Sequence, residues 1–182
     1  LYRQNSFLSG ALGQKIGPDF LEIQEHPFML RGLGSALYDS DGIPTQANQF
    51  IINGVLQQYV LGLYSARRLN LMPTGNADGV HNLSVKPNAK GLQDLLQQMN
   101  TGLLVTDLMG QGVNILTGDY SRGASGFWVE QGQIQYPVEG ITIAGNLKEM
   151  LKGIIAIGED SDKNYATQCG SILIDNMMVA GQ

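Results

Sequence analysis

The chain has 182 residues, 43% of them hydrophobic and only 15% charged, with a formal net charge of −5 from 11 basic and 16 acidic side chains. A chain this long buries roughly 70% of its unfolded surface, so it can build a core without staples, and its apolar fraction excludes intrinsic disorder. The acidic balance excludes the basic footprint of a nucleic-acid-binding domain, and no apolar run approaches the ~20 residues of a membrane span.

The single cysteine, Cys169, rules out an internal disulfide and suits a reducing compartment. The opening Leu1-Tyr2-Arg3-Gln4 lacks the apolar stretch of a signal peptide. A chain that starts on Leu reads as a fragment. Glycine and proline are scattered as punctuation, and no repeat or linker is visible, so one domain over 1–182 is expected.

In chain order, Phe7-Leu8 with Ala11-Leu12 reads as the last turns of a helix ending near Gly13, and Phe20–Gln24 as a strand. Asp39-Ser40-Asp41-Gly42 resembles the start of a calcium loop. Where that loop needs a glutamate stands Asn48, so a tight turn is the better reading. Asn53-Gly54, between Phe50-Ile51-Ile52 and Val55-Leu56, predicts a two-residue type I′ hairpin inside Thr45–Gly62. Leu92, Leu95, Leu96 and Met99 form one helical stripe. Strands follow at Gly102–Leu108 and Val113–Thr117. A second hairpin spans Ser125–Val138 around Gln131-Gly132, setting Val129 opposite Ile134 and Phe127 opposite Tyr136. After a strand at Gly140–Ala144, Leu147, Met150, Leu151, Ile154 and Ile155 make a second helical stripe. Asn146 can cap it, Glu149 can reach back, and Gly158 can stop it. Ser171–Ile174 is a last strand. Strands and helices do not alternate, so the expected class is α+β: mainly antiparallel sheet with two or three flanking helices.

Side chains that carry chemistry are sparse. His26 and His81 are the two histidines, with neither a His-x-x-x-His pair nor a Cys-x-x-Cys, so each reads as structural or solvent-facing. Gly32-Leu33-Gly34 is a lone Gly-x-Gly, and Gly123-Ala124-Ser125-Gly126 is one residue short of a nucleophile elbow. Cys169 reads as a small packing residue and is only a weak candidate ligand. The most unusual stretch is Gly118-Asp119-Tyr120-Ser121-Arg122-Gly123 and its continuation to Gly126. It is either a bulged strand edge with glycines for packing or an edge that receives an extended peptide. Asp119 and Arg122 can pair with each other or with peptide termini.

Together, several of these segments resemble one family. They are Asp39-Ser40-Asp41-Gly42-Ile43-Pro44-Thr45, Asn53-Gly54-Val55-Leu56, Tyr64-Ser65-Ala66-Arg67-Arg68-Leu69, Thr74-Gly75-Asn76-Ala77, Gly118–Gly123 and Ile141-Thr142-Ile143-Ala144-Gly145-Asn146-Leu147. They are similar to the TldD/PmbA family, over the C-terminal part of its PmbA (TldE) type. The resemblance implies a cytoplasmic subunit of a zinc metallopeptidase that degrades or trims small unfolded peptides, with an N-terminal domain outside this chain. It implies a TldD-like partner in a heterodimer, or a homodimer, and an extended peptide as substrate, with no direct nucleic acid and no membrane. It also brings an alternative, a regulatory module acting on gyrase or an RNA regulator without proteolysis. In TldD-type members a helix bearing His-Glu-x-x-x-His and a later Cys-Gly hold the zinc, leaving one position for water. The corresponding helix lies outside this chain. Cys169-Gly170 falls where that cysteine falls, but Ser171 follows in place of the usual lysine. The expectation is therefore zinc in the TldD-type partner, no cofactor in this chain, no catalytic residue, and a substrate-binding role for Gly118, Asp119, Tyr120, Ser121, Arg122 and Gly123.

Overall fold

Short β-branched and aromatic runs separated by Asn-Gly, Gln-Gly and Asp-Gly punctuation favour hairpins, and a computed structural model describes residues 3 and 6–181 in these terms. Among the described residues the strands are mostly antiparallel and three helices flank them, an α+β architecture. The chain gathers into two compact units, Leu1–Lys86 with Ser161–Cys169, and Pro87–Asp160 with Gly170–Gln182.

The first unit is built on a five-stranded sheet in the order β3-β2-β1-β4-β9. Its strands are β1 (Ile23–Glu25), β2 (Gln49–Ile52), β3 (Val55–Leu56), β4 (Leu83–Val85) and β9 (Thr167–Gln168). Only β4 and β9 run parallel. The first hairpin is as expected: Ile52 pairs with Val55, and Asn53 and Gly54 take φ of 51° and 73°, the left-handed pair a type I′ turn demands. Gly54 is also a meeting point of backbones. It donates to Leu21 O and accepts from the amides of Ile16 and Gly17. A β-carbon there would stand 2.2 Å from Gly17 O, so only glycine fits. The strand expected at Phe20–Gln24 begins at Ile23, because Pro18 opens a turn closed by Leu21 N–H. Residues 6–13 form turns, not the end of a helix; the apolar pair Ala11 and Leu12 splits into one buried and one exposed side chain.

Helix α1 (Leu63–Leu69) carries no apolar stripe and buries only Ala66. Its first amide, Leu63 N–H, donates to Asp41 Oδ2 at 2.8 Å, so a distant loop caps it. The Asp39–Gly42 segment is a tight turn: Asp39 Oδ1 accepts from the amides of Asp41 and Ile43, its Oδ2 accepts from Ala77 N–H, and Gly42 has φ of 77°. Backbone donors consume these carboxylates.

The second unit holds a four-stranded antiparallel sheet, β11-β7-β6-β5, and a two-stranded one. The larger comprises β5 (Gly102–Met109), β6 (Asp119–Glu130), β7 (Gln133–Asn146) and β11 (Met178–Ala180). Its hairpin turns at Gln131 and Gly132, with φ of 51° and 70°. Val129 faces Ile134 as expected, but a register shift follows, so that Trp128 faces Tyr136 and Phe127 faces Pro137. One extra residue, Gln135, is accommodated between the paired positions, and no sequence period encodes that slip. Ala124, Ile141 and Ile143 are buried together under Leu103, Val105, Tyr120, Val138 and Met177.

Helix α2 (Leu92–Met99) buries Leu95 and Leu96, and Leu95 packs with Ala156 and Leu173. Helix α3 (Leu147–Lys152) starts where Asn146 Oδ1 accepts Lys148 N–H at 3.0 Å. Glu149 does not reach back; it meets Lys152 Nζ at 3.1 Å. The helix stops at Gly153, and Ile154–Ile157 is strand β8, paired with β10 (Ile172–Ile174). The 3.6 spacing at 147–155 thus continues from a helix into a strand. Three isoleucines in four residues fit a pleated partner better than a helix turn. Val113–Thr117 is likewise no strand: Val113 makes one bridge to Tyr120, and Asn114 Oδ1 folds the next residues into a turn by accepting Leu116 N–H.

Candidate functional site

The glycine-rich stretch singled out in the sequence is strand β6, and it is an interior strand. One edge pairs along its whole length with β7. The other pairs with β5 from Gly123 to Val129, and residues 112–114 cover it beyond that, through Ser121 N–H to Gly112 O (2.7 Å) and Asn114 N–H to Asp119 O (2.8 Å). The expectation of a strand edge is therefore corrected. What the sequence does not show is that the 110–118 loop folds back onto the strand it precedes. The glycines serve close approach: a β-carbon on Gly112 would lie 1.7 Å from Ser121 O, and one on Gly126 would lie 1.9 Å from Leu104 O.

Alternation along β6 sorts the candidates. Arg122 lies across from Ile143 and Ala124 from Ile141, so Tyr120, Arg122 and Ala124 share the apolar face. Asp119, Ser121 and Gly123 take the opposite face. Asp119 and Arg122, three apart, point to opposite sides and do not pair. The Asp119 carboxylate accepts from Thr117 Oγ1 at 2.6 Å and Asn146 Nδ2 at 3.1 Å. Those two bonds hold its pKa below the usual aspartate value. Gly118, buried with φ of 84°, links the 114 turn to α3 by donating to Asn114 O and accepting from Leu147 N–H.

Arg122 is the chemically open member of the set. Its Nη2 donates to Leu108 O at 3.2 Å, its Nε is buried without a hydrogen-bond partner, and among the described residues no carboxylate pairs with it.

The histidines lie in the first unit. His26 Nε2 meets Ser84 Oγ at 3.0 Å. His81 is buried, its Nδ1 3.6 Å from Glu25 Oε2. Glu25 itself, at 1% exposure, is the hub of a polar core the sequence reading missed. Its Oε1 accepts from Asn48 Nδ2 and Asn76 Nδ2, and its Oε2 accepts from Asn76 Nδ2 at 3.0 Å and His81 N–H at 2.8 Å. Three donors making four hydrogen bonds to one buried carboxylate satisfy its lone pairs and tie two loops, one before β2 and one between α1 and β4, to β1. A sequence signal existed only as asparagines beside turn residues, which occur in every loop.

A zinc centre does not fit these side chains. His81 is wedged against Glu25, His26 is engaged with Ser84, and the thiol of Cys169 is half-buried beyond β9. Among the described residues no three of His, Cys, Asp or Glu stand close enough to share an ion.

Hollows lie in the first unit as well. One of about 430 Å³ is lined by uncharged residues, among them Leu12, Gln58, Leu61, Leu71 and Thr74. No helix among the described residues is long and apolar enough to cross a membrane.

Comparison with known proteins places this architecture. Residues 1–181 match the family model described as PmbA/TldA metallopeptidase C-terminal domain. The chain is 54% identical over its full length to a protein from Haemophilus influenzae named a metalloprotease PmbA homolog, and 50% identical to the metalloprotease PmbA of Escherichia coli. It spans 40% of the length of each. A crystal structure from Bacteroides thetaiotaomicron, described as that of a proposed modulator of DNA gyrase, matches the whole chain and 41% of its own, at 30% identity and a TM-score of 0.93. Sequence and fold agree, and the chain belongs to the PmbA/TldD metallopeptidase family, in its PmbA-type C-terminal domain.

Proposed function

We propose that this chain is the C-terminal domain of a non-catalytic subunit in a cytoplasmic zinc peptidase complex, shaping the cavity and holding an extended peptide for a TldD-like partner that carries the zinc. The observation that carries the reading is a contrast. The chain is half identical to proteins named metalloproteases, yet His26 is engaged with Ser84, His81 is buried beside Glu25, and among the described residues no three of His, Cys, Asp or Glu can share an ion. Hydrolysis of an amide needs a polarising ion or a nucleophile with its base; among the described residues no group of His, Cys, Asp or Glu can hold an ion, and we read the contact of Ser84 Oγ with His26 Nε2 at 3.0 Å as structural. The contribution left is shape, apolar surface and the charge of Arg122 on β6, within the stretch Gly118, Asp119, Tyr120, Ser121, Arg122 and Gly123. Backbone pairing on both edges of β6 directs that contribution to side chains.

The test measures cleavage of unstructured peptides by the full-length protein alone, by a TldD-type partner alone, and by both. Activity that appears only in the mixture is expected. Full activity from the partner alone would sink the reading.

A second reading is a regulatory module that binds gyrase or an RNA regulator. It is favoured by the gyrase description of the Bacteroides thetaiotaomicron relative and by the net charge of −5, which suits a basic protein partner. Retention of such a partner by the protein in the absence of any peptidase subunit would favour it.

A further inference from the structure

Arg122 stands on the sheet face formed by Tyr120, Ala124, Ile141 and Ile143, with apolar neighbours along β6 and across β7. Across the sheet, Ile143 is followed by Val179, 52% exposed. Along the strand, Ala124 is paired with Leu108, 37% exposed. A guanidinium with five donors in a rigid fork is costly to leave against such a surface with one long bond and a buried, unpartnered Nε. This happens in a chain with 16 acidic residues, none of which reaches it among those described. Asp119, the nearest acid in sequence, is turned to the other face and held by Thr117 and Asn146. Among the described residues the guanidinium therefore has no carboxylate counter-ion.

We propose that Arg122 is a carboxylate anchor, selecting extended peptides that carry an acidic side chain between apolar ones. Charge complementarity names the carboxylate, since an arginine fork takes it in two parallel hydrogen bonds. The surroundings name its neighbours: Val179 on one side and Leu108 on another offer apolar contact both before and after the charge. A chain terminus would have a flanking residue on one side only, so the carboxylate is a side chain. The inference rests on the peptide-holding reading above and adds the class of peptide held.

The experiment uses the intact protein and fluorescently labelled, C-terminally amidated peptides that differ only in Glu or Gln at the centre of an apolar run, followed by anisotropy. The Glu peptide is expected to bind about tenfold tighter at low salt, the gap narrowing as salt screens the pair, and Arg122→Gln is expected to close it. Equal affinity of the unaltered protein for the two peptides overturns the inference without recourse to any variant. So does a folded Arg122→Gln protein that keeps the gap. A Gln peptide with a free C-terminal carboxylate that matches the Glu peptide overturns the assignment to a side chain. If neither peptide binds at all, the peptide-holding reading itself falls, and the anchor with it.

Discussion

Replacing Glu25 with glutamine changes one atom and one charge, and the structure makes that change expensive. Each carboxylate oxygen already accepts two N–H donors: Asn48 and Asn76 side chains on Oε1, the Asn76 side chain and the His81 amide on Oε2. Whichever way the new amide is turned, its NH2 faces two donors, so two hydrogen bonds are lost and N–H meets N–H. Hydrogen bonds to a charged group contribute about 1.5–3 kcal/mol each, which puts the loss of two at about 3–6 kcal/mol. That is a large share of the ~5–15 kcal/mol a domain has. The control is Glu22→Gln, which breaks a bridge to Lys86 at 2.7 Å whose two side chains are 31% and 58% exposed, and should cost under about 1 kcal/mol. Urea unfolding followed by circular dichroism gives both numbers. A Glu25→Gln protein as stable as Glu22→Gln would refute the view that the four hydrogen bonds from Asn48, Asn76 and His81 to Glu25 support the fold.

Two glycines with the same backbone separate strain from crowding. Gly42 (φ 77°) has open space where a β-carbon would go, and Gly54 (φ 73°) has Gly17 O and Pro18 O there. Gly42→Ala should lose about 1–2 kcal/mol and Gly54→Ala about 2–5 kcal/mol in thermal melts; equal losses would mean the close approach is not real. Asn53→Ala should cost about 1 kcal/mol, more than an ordinary surface change, and an unshifted melting temperature would show that the turn does not depend on a residue tolerant of positive φ. Desolvation pushes the Asp160 carboxyl upward, but hydrogen bonds from the Ser171 hydroxyl and amide, its own amide and Leu92 N–H outweigh it and hold its pKa below the usual value. A pKa depressed by folding adds stability that is complete above the unfolded value of about 3.9 and is lost as pH falls through the folded one. Melting temperatures should therefore drop below about pH 4 with a component that Asp160→Asn removes; an identical acid profile for the variant would count against it.

How much was legible follows from where the information sits. The two-residue turns at Asn53-Gly54 and Gln131-Gly132 were readable because positive φ is a property of one residue and its neighbour. Helix α2 was readable because Leu92, Leu95, Leu96 and Met99 recur at the helical period. Helix α1 was not, since Ala66 is its one buried residue and its cap, Asp41, comes from another loop. The stretch at 147–157 misled because its apolar spacing holds through Gly153, where the partner strand at Ile172–Ile174 takes the chain over. At the candidate site, the sequence drew attention to Gly118–Gly126 but not to its place inside the sheet, and it left Glu25 among ordinary polar residues.

The amino-acid sequence by itself settled the α+β class, the family, and the scarcity of metal ligands, because these rest on residue identity and on short-range geometry. Only the tertiary structure decided that β6 is an interior strand, that Asp119 and Arg122 face apart, and that Glu25 gathers Asn48, Asn76 and His81 around one buried charge. Those outcomes depend on which segments, tens of residues distant along the chain, satisfy each other's backbone and side-chain hydrogen bonds. No local pattern carries that choice; it is made where buried polar groups must find partners.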